Sequence, residues 1–357
     1  MNYFSNNTNY IFLLIIIFSN VSFGKEFDEL FNINNKIEIG NDIDTSLNRS
    51  FDSMVYRLSG STKPSNIWKI INAGNARKDF ITKYSIKNIS GTPYIFTEFN
   101  QTLLEQTFFD LKIPIIGKSR PVYMILLEID DGYNSPYFVS ETSSNKLDIL
   151  LQDKINQLAS KRGVFIDLPS FDLKDSENIL TYNYLIEPEK YVESKYDHDH
   201  LISIKVVKTG INEWKATGGL EAILESKNFN KDFLNVFFNM LDEEVSSSLN
   251  LKTISYESNN SYSLKIENIN TVNDYEQIKD LLFGIIGLNN IKVNKFSNNT
   301  LFCEINFYGE LETLLIEIVE NTYLNLLNTT DLGDNISIEY KLWVPLLLSF
   351  LSQIARG

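Results

Sequence analysis

Residues 122–129 read VYMILLEI, apolar throughout except for Glu128. A run of this length and composition is expected to be a strand buried on both faces. Asp130-Asp131-Gly132 follows as a turn. Beyond it, Leu147, Ile149, Leu150, Leu151, Ile155 and Leu158 fall on a helix over 147–159 that would face the strand. Arg162-Gly163 ends that helix, and Val164–Leu168 starts another strand. Strand, helix and strand in this order predict a parallel pair joined by a crossover. A helix near Pro188–Ser194 then leads to a strand over Leu201–Val207. Thr209-Gly210-Ile211-Asn212 turns that strand back into another over Trp214–Ala222. A long amphipathic helix over Phe229–Leu249 closes this central block, residues 118–250.

Upstream, residues 25–117 form a first block. Ile37-Glu38-Ile39 alternates like a short strand, and Leu47, Phe51, Met54, Val55 and Leu58 mark one face of a helix stopped by Ser59-Gly60. A short helix opens at Lys63-Pro64-Ser65. Phe80–Ile89 and Tyr94–Phe99 form a hairpin, and Gln101–Leu111 a further helix. Downstream, residues 251–344 read as strand Tyr262–Ile266, helix Tyr275–Ile286, hairpin Ile291–Phe296 with Leu301–Phe307, helix Leu311–Leu327 and strand Ile336–Val344. That βαββαβ order is the ferredoxin-like plan. The chain as a whole is expected to be α+β or α/β, divided into small α/β domains, with an apolar tail over 345–357.

The 357 residues suit two or three domains, and 43% hydrophobic with 22% charged content is that of a globular chain. The formal charge of −14, with no Lys/Arg run of five, argues against nucleic-acid partners. Tyr10–Phe18 (YIFLLIIIF) is apolar, and Ser22 and Gly24 are small residues where a signal peptidase reads them. Residues 1–24 are therefore expected to be an export signal cleaved before Lys25, giving a periplasmic protein. The alternative is an uncleaved anchor in the inner membrane, since no Lys or Arg precedes the run. The run is too short to span a bilayer, which takes about 20 apolar residues. No Cys follows it to carry a lipid. Cys303 is the only Cys, so no intrachain disulfide can form. Membrane contact is expected only through the amino terminus or the tail.

Within the central block, Arg120-Pro121, the apolar strand, Asp130-Asp131-Gly132, the run from Lys161 to Pro169 (KRGVFIDLP), and Asp172-Leu173-Lys174-Asp175 occur in a characteristic order. Lys195-Tyr196-Asp197-His198-Asp199 and Trp214 continue it. This combination resembles the exported proteobacterial family catalogued as domain of unknown function 2066, over most of residues 37–250. The family has Arg-Tyr-Gly-Ala-Asp where this chain has Lys195–Asp199, and an acid where it has Lys174. The resemblance implies export and neither an assigned activity nor a cofactor. The element order of the central block is also similar to the amino-terminal domain of TolB and to lipoprotein activators of cell-wall synthases, a likeness of fold alone.

Candidate chemistry is sparse. Gly117-Lys118-Ser119 ends like a phosphate-binding loop, but the position five residues earlier that needs Gly is Lys112, and a strand follows instead of a helix. Asp197-His198-Asp199-His200 offers metal donors, yet in an extended segment its two His face one side and its two Asp the other. A polar turn is the simpler reading, and no metal is expected. Asp130 and Asp131 lack a neighbour that would split their pKa values as an acid–base pair requires. Neither His lies near a nucleophile in sequence, and Cys303 sits inside an alternating strand, so no catalytic residues are assigned. Arg120 either binds an anion or pairs with an Asp such as Asp172. Asp172 and Asp175 are natural helix caps, but their loop follows a parallel strand, where open α/β sheets hold ligands. A ligand site, if present, would use Arg120, Asp130, Asp172 and Asp175.

Two function classes follow. One is a non-catalytic binding or assembly module whose partners are other envelope proteins, met through sheet edges such as Ile336–Val344. The other is a small-ligand-binding or hydrolytic enzyme working around Asp172.

Overall fold

The computed structural model describes residues 25–342, apart from 28, 39, 41, 90, 144, 172–174, 176–187, 258, 322–323 and 332–335. The expected signal at 1–24, the tail, Asp172 and the end of the last strand lie outside the described residues. What is described is a mixed α+β protein.

The first block holds a three-stranded antiparallel sheet of β1 (Asn32–Lys36), β2 (Ile81–Ile89) and β3 (Thr92–Phe99), in the order β1-β3-β2. The strand expected at Ile37–Ile39 lies earlier, at β1, where Ile33 enters the core between polar neighbours. Helix α1 (Ile43–Ser59) is capped by Asp42, whose side chain accepts from the Thr45 N–H at 2.7 Å, and ends at Gly60 with φ 68°. Its buried stripe of Phe51, Met54, Val55 and Leu58 follows the predicted spacing. Helices α2 (Ser65–Asn72) and α3 (Gln101–Asp110) complete the layer.

In the central block, β4 (Val122–Asp130) is buried along nearly its whole length. It pairs in parallel with β5 (Phe165–Asp167) on one side and β6 (His200–Lys208) on the other. Strand β6 continues antiparallel into β7 (Glu213–Gly218) and β8 (Ala222–Glu225). The single strand expected over Trp214–Ala222 is broken at Gly218, whose φ of 96° belongs to glycine, and where a Cβ would stand 2.5 Å from the Ser203 carbonyl oxygen. Helix α4 (Lys146–Arg162) and helix α6 (Phe229–Leu251) cover one face of this sheet, and α5 (Pro188–Lys195) lies between them in sequence. The buried face of α6 repeats every four residues through Phe229, Phe233, Phe237, Leu241, Val245 and Leu249. The three Phe rings follow one another at 5.5 and 5.8 Å, and Trp214 stacks on Phe229 at 4.2 Å. Burying each such side chain contributes about 1.5–3 kcal/mol, which makes this helix the main cover of the sheet. On the opposite face, Val192 of α5 packs on Met124 and Leu126.

The last block is a five-stranded sheet of β9 (Asn260–Glu267), β10 (Leu288–Ser297), β11 (Thr300–Phe307), β12 (Leu324–Asp331) and β13 (Ile336–Leu342), in the order β10-β11-β9-β13-β12. Helices α7 (Val272–Phe283) and α8 (Leu311–Asn321) accompany it. Two expectations are corrected here. The helix read over Leu311–Leu327 stops at Asn321, and the Thr/Asn-rich Leu324–Asp331 is a strand. That strand takes the sheet edge, so β13 lies inside, parallel to β9 and antiparallel to β12. The order is therefore βαββαββ, with a hairpin where the βαββαβ plan has one last strand. Helix α7 starts at Val272, three residues before the expected Tyr275. Thr271 and Asp274 form a capping box there, with Asp274 N–H donating to Thr271 Oγ1 at 3.1 Å.

One apolar core runs through residues of the first and last blocks, joining Phe108, Ile113 and Ile115 to Ile254, Leu264 and Phe307. A second fills the central block. Two-residue bridges stitch the junction, Ile115–Ile116 with Thr253–Ile254 and Lys25–Glu26 with Ser119–Arg120.

Candidate functional site

Where the blocks meet, three arginines are buried: Arg57 from α1, Arg120 just before β4, and Arg162 at the end of α4. Each donates across a junction. Arg120 donates to the carbonyls of Gly117 (2.9 Å), Ile116 (3.2 Å) and Arg57 (3.2 Å). Arg57 Nη1 serves the carbonyls of Glu29, Leu30 and Asn32, and Nη2 that of Ser160. Arg162 pairs with Asp242 at 2.7 Å and reaches the Gly60 carbonyl at 3.2 Å. Burial holds Arg57 and Arg120 below the ordinary guanidinium range, to about 9 and about 10. The neighbouring Arg120 charge lowers Arg57 further, and Glu317 partly offsets the shift of Arg120. Arg120 thus ties backbone carbonyls of separate segments together.

The Gly117-Lys118-Ser119 turn does cradle an anion, but an internal one. The Glu317 carboxylate of α8 accepts from the Lys118 and Ser119 N–H groups, both at 3.2 Å. A Cβ at Gly117 would lie 2.0 Å from Glu317 Oε1, so glycine is needed for this close approach and not for a phosphate.

Two of the proposed ligand residues, Arg120 and Asp130, stand far apart. Arg120 and Asp130 flank β4 at opposite ends, about 33 Å apart at the rise of a strand. Asp130 accepts from the Gly132 N–H at 2.9 Å, closing the predicted turn. Asp131 accepts from Tyr133 and Asn134 N–H groups, bonds that hold its carboxyl below the usual range. Asp175 is buried, accepts from Tyr191 Oη at 2.5 Å and pairs with Lys195, so it fastens α5. Asp172 lies outside the described residues.

The two histidines part company. His198 Nδ1 lies 2.7 Å from the Tyr196 carbonyl oxygen. His200 begins β6, stacks on Tyr123 at 4.8 Å, and places Nε2 3.1 Å from Ser248 Oγ of α6. The 48 residues between His200 and Ser248 hide this contact from the sequence. Burial pushes the His200 pKa down, and Ser248 is buried inside the packed helix, so the pair closes a core seam. No group of three or more His, Cys, Asp or Glu is placed to hold a metal among the described residues. Burial raises the Cys303 thiol to about 12.

One open feature is apolar. Between the start of α7 and β10 lies a groove of about 430 Å³ with Ile269 and Leu301 as its floor and Val272, Tyr275, Val293 and Phe296 as its walls. Val272, Val293 and Phe296 are 78%, 45% and 53% exposed. Register puts Val293 opposite buried Cys303 and Phe296 opposite buried Leu301, so both face the core side of the sheet at its open edge. The polar residues around the groove bond to one another. Asn299 donates to Asn270 Oδ1 at 2.8 Å, the Ile269 N–H to the Asn299 carbonyl at 2.9 Å, and the Asn270 and Thr271 N–H groups to Asp274, each at 2.9 Å. The hairpin turn is thereby tied to the helix start. Its Asn298 and Asn299 take φ of 52° and 58°, the left-handed pair of a tight hairpin.

Val293 and Phe296 are three residues apart, which strict alternation assigns to opposite faces; the register shift between Val293 and Lys295 brings both to the core side, and sequence periodicity carries no sign of it. No protein-family model, curated protein or solved structure matches the chain.

Proposed function

We propose that the chain is an exported protein of the bacterial cell envelope, working as a non-catalytic binding or assembly module through the groove between α7 and β10. One observation carries the reading: an apolar, partly exposed hollow whose walls are pre-tied by hydrogen bonds. Fixed walls lower the ordering cost that a docking segment must overcome. The Asn270, Thr271 and Asn299 groups at the rim are hydrogen-bonded to one another or to Asp274, so the groove suits apolar side chains of a protein partner. Lys292, Lys295 and two register shifts blunt β10 against indiscriminate strand pairing, which favours the groove over the ladder as the docking face. Export rests on Tyr10–Phe18 and on the likeness to the exported proteobacterial family. We read the central sheet as TolB amino-terminal-like and the last sheet as a ferredoxin-like plan with its final strand doubled.

A photocrosslinking residue at position 296 of the full chain, expressed in its native envelope, tests this. The expected result is one discrete envelope protein joined at position 296, absent when the label is at Tyr84 and lost on Val272→Asp. Labelling equal at both positions, or none, overturns the reading, as does recovery of the chain from the cytosol with residues 1–24 intact.

A further inference from the structure

We propose that the apolar segment following β13, Pro345–Ile354, is the groove's resident occupant, which a partner must displace. The proposal rests on the groove being a docking face and adds how that face is regulated.

The chain leaves the last sheet at the same end as the groove. Strand β13 runs parallel to β9, with Lys341 in register with Glu267. Three residues past Glu267 begins the Asn270–Val272 wall, and the Asn298–Asn299 turn lies at this end too, since Leu301 is in register with Ile266. From β13 to β10 is three strand spacings, about 14 Å. Residues 343–357 read WVPLLLSFLSQIARG. Pro345 has no N–H to give a ladder, so strand pairing is not expected to continue through it. A fully extended chain covers about 3.3–3.6 Å per residue, so about four residues past Leu342 reach β10, and Leu346, Leu348 and Phe350 come within range of the groove. The segment has apolar side chains and no charge before Arg356. Its match is a hollow whose exposed walls are Val272, Val293 and Phe296. Left in water, both surfaces are costly, and their union removes both costs.

Paired cysteines in the full chain test this, in a Cys303→Ser background. Phe296→Cys is combined in turn with Leu346→Cys, Leu348→Cys and Phe350→Cys, and Tyr84→Cys with Leu348→Cys serves as control. The expected result is an intramolecular disulfide in at least one groove pair, formed at least tenfold faster than in the control. A second measurement requires no cysteines: Leu346→Glu with Leu348→Glu should speed amide exchange across 271–275 and 293–299 at least fivefold, and leave α6 unchanged. Disulfide rates equal to control with unchanged exchange overturn the proposal. Disulfides found only between chains overturn it too, and assign the groove to a second copy. Failure of the two readings is separable. A partner captured at position 296 without any intramolecular bond removes the tail and keeps the docking face. An intramolecular bond with no partner captured, even after Leu346→Glu/Leu348→Glu, removes the docking face and keeps the tail.

Discussion

Arg120 Nη1 donates to the backbone carbonyl of Arg57 across 3.2 Å, and both guanidinium groups are buried. Two like charges are tolerated so close because their donors are shared among carbonyls of four chain segments, and because the Glu317 charge lies near Arg120. A lysine cannot reproduce that fork. Arg120→Lys is therefore expected to destabilise the fold by about 3–5 kcal/mol, as breaking a buried charged network does. Arg120→Met, which leaves no buried cation, should cost less. Urea denaturation of the three proteins measures this, and an Arg120→Lys change under about 1 kcal/mol contradicts the role.

Gly117 and Glu317 should behave as one unit. Gly117→Ala pushes a methyl into the Glu317 carboxylate. Glu317→Ala strips the Lys118 and Ser119 N–H groups of their acceptor, at about 1–3 kcal/mol each when buried. In the double variant the clash is gone, so the combined loss is expected to fall at least about 1 kcal/mol short of the sum. Strict additivity in thermal or urea unfolding would show that the turn and α8 are independent.

Stability should fall with acid through His200. Burial lowers its pKa in the folded chain below the ordinary 6.5, so near and below pH 6.5 the unfolded chain takes up a proton that the native imidazole still refuses. The contribution is complete above pH 6.5 and is lost as the pH falls through the lower folded value. His200→Phe should flatten the stability profile between pH 7 and 5. Equal slopes for the wild type and His200→Phe would refute the assignment.

Cys303 is expected to be inert in the native chain. It is 2% exposed, and burial raises the thiol to about 12, so almost no thiolate exists at pH 8. A disulfide-exchange reagent should label the single thiol in urea and leave it unlabelled in buffer over the same period. Rapid native labelling would mean that the β9–β11 layer opens.

Phe296→Asp and Leu301→Ala should separate surface from core. Phe296 is half exposed and Leu301 is buried. The first change is expected to alter unfolding free energy by less than about 1 kcal/mol and to abolish partner capture by a label moved to position 293, the second to cost about 2–5 kcal/mol. A large loss from Phe296→Asp would place that ring in the structural core.

Local periodicity is enough to read β4, the α1 stripe, α6 as an amphipathic helix and both hairpins of the outer blocks, because side-chain direction along a helix or strand repeats within a few residues. It failed over Leu311–Leu327, where one apolar run serves first a helix and then an edge strand, and the β13 neighbour decides which. Composition likewise restricted the chemistry, since the chain has two His and one Cys. What each charged group does was settled only by tertiary structure. Lys118 and Ser119 meet Glu317 across 198–199 residues, Arg57 meets Ser160 across 103, and His200 meets Ser248 across 48. The groove belongs with these. Val293 and Phe296 are brought to one face by a register shift that alternation does not announce, and they stay exposed because β10 stands last in the sheet. Periodicity states which way a side chain points; packing alone determines whether anything lies there to meet it.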